Sequence, residues 1–170
     1  EDVAELCVAA VEKAGDAESV KVVSFPGDSI QDSYLYDGCI VNKDYVLEGR
    51  DEYSHLVLLN TGLENEKSED NIQLQMNSES FQSYKASSKT HLIESAKRLV
   101  EYMPEGGVVF VRDNVNDFVC SYLKKNHIMV VRRVPESTLR TLSRVADTPI
   151  CQTPEEVEYC APVEIKREKL

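Results

Sequence analysis

The stretch VVFVRDNVNDFVCSYLKKNHIMVVRRV, residues 108–134, decides the fold. Short apolar runs rich in β-branched residues stand near its two ends, at 108–111 and 128–131, and such runs are typical of buried strands. Between them, apolar residues recur at helical spacing and predict a helix over 115–126. A strand, a helix and a second strand in this order predict a right-handed crossover between two parallel strands.

The same patterns extend this unit in both directions. Apolar stripes predict helices over 3–14, 91–103 and 135–145, the first of which ends at Gly15 and the second at Pro104. Strands are predicted at 20–25, 34–41 (with a bulge at Gly38), 55–59, 72–76 and 163–165. We therefore expect an α/β domain with a central sheet that is flanked by helices.

One polar excursion interrupts this pattern at residues 78–89, which have weak helical character and almost no apolar face. Phe81 and Tyr84 are three residues apart and would share a face of a helix. Two interpretations stay open, because these rings could pack on Leu92 or stand exposed as contact points.

The composition excludes several classes of protein. The chain has 170 residues with 42% hydrophobic residues, which suffices for one domain with a core. No apolar run reaches the roughly 18 residues of a membrane span, so we expect no membrane partner. The net charge of −11 argues against nucleic acid as a partner. The chain begins at Glu1, and we expect it to be a segment of a longer polypeptide.

Sites for metals and phosphates are not evident. The sequence contains neither a GxGxxG nor a GxxxxGK motif, and its three histidines are widely spaced. The spacing of Cys151 and Cys160 suits no zinc knuckle, and we interpret all five cysteines as reduced, intracellular and mostly buried thiols. The acidic residues between Glu64 and Asp70 are typical of a solvated loop. We therefore expect no metal site.

The predicted helix 115–126 has two faces of different character. We expect its core face to comprise Val115, Phe118, Val119, Tyr122 and Leu123. The opposite face then carries Asp117, Cys120, Ser121 and Lys124. This polar face is either the solvated back of a helix or a shallow binding groove. Cys120 with His127 would form a nucleophile and base only if a third group oriented them.

Residues 26–44 read PGDSIQDSYLYDGCIVNKD, and this stretch resembles the entry to the apical domain of group II chaperonins. LVLLNTGLENEKSEDNIQLQ, residues 56–75, looks like its strand, acidic loop and strand. Residues 108–150 are similar to its strand-helix-strand-helix close, with Arg132 and Arg133 at the family's Arg-Arg pair. Together these motifs most resemble a subunit of the eukaryotic cytosolic chaperonin TRiC/CCT.

The resemblance implies a division of the chain. Residues 1–24 would be a remnant of the intermediate-domain helix with a junction strand, and residues 25–170 would be the apical, substrate-binding domain. A helical protrusion that acts as a lid would span about 77–97, with Phe81 and Tyr84 as its contact residues. The implied fold is an apical-domain-like α/β fold whose central sheet is flanked by helices.

The resemblance also implies a function. The chain would be the client-binding and lid domain of an ATP-dependent chaperonin subunit in the cytoplasm, with neighbouring subunits in a ring. Asp117, Cys120, Ser121 and Lys124 would contact unfolded or partly folded clients, such as actin-like and tubulin-like chains. ATP and magnesium would belong to the parent's equatorial domain. Its Gly-Asp-Gly-Thr loop is absent from this chain, so we expect no ATPase activity here.

Two alternatives stay open. The chain could be a chaperonin-like interaction module of a larger protein, as in phosphoinositide 5-kinase-like or ciliary chaperonin-like proteins. It could also be an unrelated α/β enzyme that uses Cys120 as its nucleophile.

Overall fold

The computed structural model describes residues 3–27, 29–43, 50–64 and 78–167, with the backbone alone described over 78–88. These residues belong to two compact units. The first comprises residues 1–42 with 169–170, and the second comprises residues 43–168. The predicted strand at 72–76 lies outside the described residues.

The first unit contains one long helix, α1 (Val3–Ala14), as predicted. Gly15 ends it in a left-handed conformation with φ of 83°, which glycine adopts without steric cost. Lys13 forms an ion pair of 2.8 Å with Asp37. A short 3-10 helix, Ile30–Asp32, begins where the Ser29 side chain accepts a hydrogen bond from the amide of Gln31.

The strands predicted at 20–25 and 34–41 are wrong for the residues that the structure describes, since none of these residues belongs to a strand. Several of their apolar side chains are exposed instead, Val22 by 84% and Tyr34 by 68%. The pattern of β-branched and aromatic residues was present, but a strand is stabilised only when a neighbouring strand pairs with it. The junction strand expected within residues 1–24 is therefore not formed.

The second unit is built on a five-stranded sheet. Its strands are β1 (Glu52–Leu59), β2 (Gly107–Val111), β3 (Ile128–Val131), β4 (Ile150–Cys151) and β5 (Ala161–Lys166). The order is β3-β2-β1-β4, and these four strands are parallel. β5 pairs with β1 in antiparallel orientation. The predicted strands 55–59, 108–111, 128–131 and 163–165 are confirmed.

Three helices belong to this unit: α2 (Ser78–Tyr102), α3 (Asp117–Lys125) and α4 (Glu136–Ala146). The segments 78–89 and 91–103, which differ in apolar content, form the single helix α2. A parallel sheet with flanking helices confirms the predicted α/β class. No described helix is both long and apolar enough to cross a membrane.

The core lies between the sheet and the helices α2 and α3. All five residues of β2 are buried. Four side chains are completely buried against the sheet: Leu99 in α2, Met103 directly after α2, and Val119 and Leu123 in α3. Each such side chain contributes about 1.5–3 kcal/mol of transfer free energy, so this interface fixes where α3 lies.

A tight turn joins α2 to β2. Gly106 has a φ of 90°, and a Cβ atom at this residue would lie 2.5 Å from the carbonyl oxygen of His127. Gly107 donates a backbone hydrogen bond of 3.3 Å to the same oxygen. The absence of a side chain at Gly106 therefore lets β2 approach the start of β3 closely.

Candidate functional site

The candidate site is the exposed surface of α3, and local sequence sets where this helix begins. The side chain of Asn116 accepts a hydrogen bond of 2.9 Å from the amide of Phe118, which satisfies one of the unpaired amides at the helix start. Asp117 stands in the first turn, while Lys124 and Lys125 stand in the last turn. These charges are favourable with respect to the helix dipole.

The buried side of α3 differs from the prediction in two residues. Cys120 was expected on the outward face, but it is 2% exposed and packs in the core beside Val119 and Leu123. Phe118 was expected in the core, but it is 50% exposed. The buried side of α3 is therefore displaced around the helix axis by roughly one residue from the side that apolar spacing predicts. Val115 is buried as expected, although it precedes the helix and bridges to Leu63.

Three of the four predicted contact residues do lie on the surface. Asp117, Ser121 and Lys124 are exposed, as the helical spacing predicts. The hydroxyl of Ser121 donates a hydrogen bond of 2.8 Å to the carbonyl of Asp117, so its oxygen is left to accept bonds from outside. Cys120 cannot join this surface while α3 is packed on the sheet.

Phe118 adds an aromatic group to this surface, and α2 supplies a positive charge beside it. The Nζ atom of Lys89 lies 5.6 Å from the centroid of the Phe118 ring, which is within the range of a cation–π contact. We call the exposed set Asp117, Phe118, Ser121 and Lys124 the α3 face. It combines an acid, an aromatic ring, a hydroxyl and a base, and sequence reasoning missed the ring.

The environment of Cys120 does not suit a nucleophile. Burial raises the pKa of its thiol, and the positive charge of Arg132 acts in the opposite direction with a smaller effect. A nucleophilic cysteine needs a lowered pKa and access to its substrate. Neither condition is met, so the structure argues against the alternative of an enzyme that uses Cys120.

The other predicted sites are placed as follows. Phe81 and Tyr84 belong to the backbone of α2, and their side chains lie outside the described residues. The cysteines are free thiols. Among the described residues, no cluster of three or more His, Cys, Asp or Glu side chains could hold a metal ion.

A cavity of about 400 Å³ opens at the end of the sheet where β1 and β2 begin, opposite the carboxyl ends of these strands. It is lined by residues that include Arg50, Tyr53, Glu105, Gly106 and Pro162. The guanidinium of Arg50 donates a hydrogen bond of 3.4 Å to the carbonyl of Glu105. This cavity is separate from the α3 face.

Comparison with known proteins identifies relatives of nearly the whole chain. Residues 1–167 match the profile of the TCP-1/cpn60 chaperonin family. The thermosome subunit beta of Thermococcus sp. (strain KS-8) is 30% identical over 163 residues, which cover 88% of this chain and 30% of that protein. The T-complex protein 1 subunit gamma of Tetrahymena pyriformis is 28% identical over 142 residues, which cover 81% of this chain and 25% of that protein.

The fold has a solved counterpart. The open state monomer of a group II chaperonin from Methanococcoides burtonii superposes with a TM-score of 0.64 at 22% identity, covering 85% of this chain and 31% of that one. The chain thus spans between 25% and 30% of the length of the curated relatives named above. With an α/β fold that matches a group II chaperonin and a family profile that matches residues 1–167, this chain belongs to the TCP-1/cpn60 chaperonin family.

Proposed function

We propose that this chain is the apical, client-binding and lid part of a chaperonin subunit, and that it holds unfolded or partly folded proteins on the α3 face. One observation carries the proposal. The sheet fixes one side of α3 in the core, while Asp117, Phe118, Ser121 and Lys124 remain exposed beside α2. Family membership supports a role in protein folding.

The chemistry of the α3 face suits a mobile chain. Asp117 and Lys124 can each form a water-tolerant contact with a polar segment, and such contacts are individually weak. The ring of Phe118 offers an apolar anchor for a side chain that a folded client would bury. Several weak contacts of different kinds hold many sequences without fixing any of them tightly.

The length of α2 supports the lid. Its 25 residues span about 37 Å at 1.5 Å per residue. Among its residues with described side chains, those that join the core begin at Leu92 and continue to Leu99. The part of α2 before Leu92 is the proposed lid, within the protrusion at about 77–97, and Phe81 and Tyr84 are its proposed contacts.

The remaining functions belong to the parent protein in this proposal. ATP hydrolysis with magnesium would occur in a part of the parent that this chain does not contain, and ring neighbours would complete the chamber. A cytoplasmic TRiC/CCT-like parent with actin-like or tubulin-like clients is the specific form we propose. The similarity to both a thermosome subunit and a T-complex subunit is compatible with it.

Fluorescence anisotropy of a labelled, urea-unfolded actin diluted into this chain tests the proposal. Lys124→Glu should change the apparent Kd at least about threefold, because it reverses a charge within the α3 face. Arg144→Glu is the matched control, since Arg144 is exposed on α4. Equal effects of the two variants, or none from Lys124→Glu and Phe118→Ser together, would refute the assignment of the α3 face.

A further inference from the structure

The carboxyl ends of the parallel strands form an edge rich in arginine. Leu59 of β1 pairs with both Val111 of β2 and Cys151 of β4, and Phe110 of β2 pairs with Val131 of β3. The residues that follow these strand ends therefore emerge along one edge. They are Asn60, Arg112, Arg132 and Gln152. In open α/β sheets, ligands bind outside this edge.

Hydrogen bonds order the first part of this edge. Nη1 of Arg112 donates to Oδ1 of Asn60 over 3.3 Å. Nδ2 of Asn60 donates in turn to Oε1 of Gln152 over 2.9 Å. The two amides thus form a row that holds one arm of the Arg112 guanidinium, while its other nitrogen atoms have no hydrogen-bond partner among the described residues.

Arg133 is fixed beside this row. Its φ of 57° is unusual for a residue with a side chain. Its amide donates to the carbonyl of Asp113 over 3.1 Å, and its Nε donates to Oδ1 of Asn114 over 2.8 Å. Since Val134 also donates to the carbonyl of Val111 over 3.0 Å, the backbone around Arg133 runs alongside Arg112.

Acidic groups among the described residues offset the positive charges at this edge only weakly, since Arg140 lowers the pKa of Glu136 by more than Arg112 does. Within the described part of the chain, Arg112, Arg132 and Arg133 form no ion pair. The nearby Glu136 is paired instead with Arg140 over 2.6 Å. Arginines that form no ion pair are opposite in sign to the net charge of −11 that the chain carries as a whole.

We propose that Arg112 and Arg133, which we call the arginine edge, bind an acidic segment of a partner polypeptide. Guanidinium groups match the geometry of carboxylates with paired hydrogen bonds. Arg112 and Arg133 are exposed, so the arginine edge offers an open surface that suits an extended peptide. The overall negative charge of the chain disfavours long polyanions.

The arginine edge does not depend on client binding by the α3 face, since it uses different residues. A fluorescein-labelled peptide of twelve residues that alternates Asp and Ser is the probe, and the same peptide with Asn in place of Asp is its neutral control. Anisotropy at low salt should show binding of the acidic peptide only. Arg112→Gln with Arg133→Gln should raise its Kd at least about tenfold, because two charge-assisted contacts are lost.

Two further variants sharpen the test. Arg144→Gln removes one positive charge from the exposed part of α4 and should alter the Kd less than twofold. Asp113→Asn removes a carboxylate that adjoins Arg112 in the sequence and should lower the Kd about two- to threefold. Circular dichroism of each variant establishes that it is folded.

Three outcomes would overturn the proposal. They are the absence of binding by the acidic peptide, an equal loss from Arg144→Gln, and tighter binding of an oligonucleotide with the same number of charges. If the α3 face variants alone abolish peptide binding, the peptide binds there as a client and the arginine edge has no such role.

Discussion

Lys89 of α2 and Phe118 of α3 form a cation–π contact, in which 5.6 Å separate the Nζ atom from the ring centroid. Phe118 is half exposed, and a cation–π contact at such a site contributes about 0.5–1 kcal/mol. The contact is weak enough to open. In the proposed function it joins the helix that carries the lid to the surface that holds the client, so a client that displaces Lys89 from the ring would also loosen the lid helix.

Replacing Phe118 by Ser should weaken client binding without unfolding the protein. Because half of the ring is already in solvent, we expect the free energy of unfolding to fall by no more than about 1 kcal/mol. The Kd for unfolded actin should rise about three- to tenfold. Val145→Ser on α4 is the control, since Val145 is 51% exposed. A loss of stability above about 2 kcal/mol would show that Phe118 belongs to the core.

Cys120 should react slowly with iodoacetamide in the folded protein. Its thiol is 2% exposed, whereas Cys7 is exposed on α1, so access alone should separate the two rates at least about tenfold. Mass spectrometry of peptides after timed labelling at pH 7.5 measures both rates in one sample. Labelling in urea should make the rates similar. Rapid labelling of Cys120 in the native state would contradict its burial.

The stability of the protein should fall at alkaline pH, in part through Cys120. Burial raises the pKa of this thiol in the folded state, so the unfolded chain loses its thiol proton first as the pH rises above about 8.5. The stabilising effect is complete below that pH and is lost as the pH rises through the folded-state pKa. Burial also raises the pKa values of the Cys39 and Cys151 thiols, so their effect on stability has the same sign.

Urea unfolding at pH 7.5 and pH 9.5 measures this effect. The Cys120→Ala variant should be less stable at pH 7.5 by about 1 kcal/mol, because atoms are removed from the core. It should nevertheless lose less stability than the parent chain between the two pH values. An equal or greater loss in the variant would exclude a contribution from Cys120.

Gly106→Ala should destabilise the second unit by about 3 kcal/mol or more, because the new Cβ combines a strained φ with a clash against the His127 carbonyl. The His127 oxygen belongs to the backbone at the start of β3 and cannot move away easily. Thermal unfolding followed by circular dichroism tests this. A change below about 1 kcal/mol would mean that the turn relaxes without disturbing β2 and β3.

Asp147→Gly should instead increase the stability of the protein. Asp147 ends α4 in the left-handed conformation, with φ of 46° and ψ of 49°. Glycine adopts this conformation at lower cost, so the variant should gain about 0.5–1 kcal/mol of stability. Asp147→Ala keeps the Cβ and is the control that separates backbone strain from loss of charge. A gain of equal size from both variants would assign the effect to the charge.

Sequence periodicity predicted the elements of the second unit well, because β1, β2, β3 and the helices between them have strong and regular patterns. Periodicity did not correctly predict which side of α3 is buried. Phe118 and Tyr122 count as apolar positions together with Val119 and Leu123, so spacing alone places the core side between them. Packing against the sheet selects Val119, Cys120 and Leu123 instead. A thiol behaves as a small apolar group, and burial of most cysteines is predicted, yet the helical spacing assigns Cys120 to the polar face.

The two wrong strands have a different cause. Val22 and Tyr34 stand in runs with high β propensity, but propensity describes how a residue fits a sheet and supplies no neighbour. The arginine edge shows the converse case. Arg133 is visible in the sequence, yet its relation to Asn60 and Arg112 depends on strand register, which becomes evident only when β1, β2 and β3 are paired.

The pairing of β5 with β1 has a consequence for how the chain is made. Glu52, near the start of the second unit, pairs with Lys166, near its end. During synthesis, β1 must wait for almost all the intervening residues before its neighbour exists, and contacts so distant along the chain slow folding. Until then the first half of β1 is an unpaired edge that invites aggregation. This member of a chaperonin family would thus itself benefit from protection while it emerges from the ribosome.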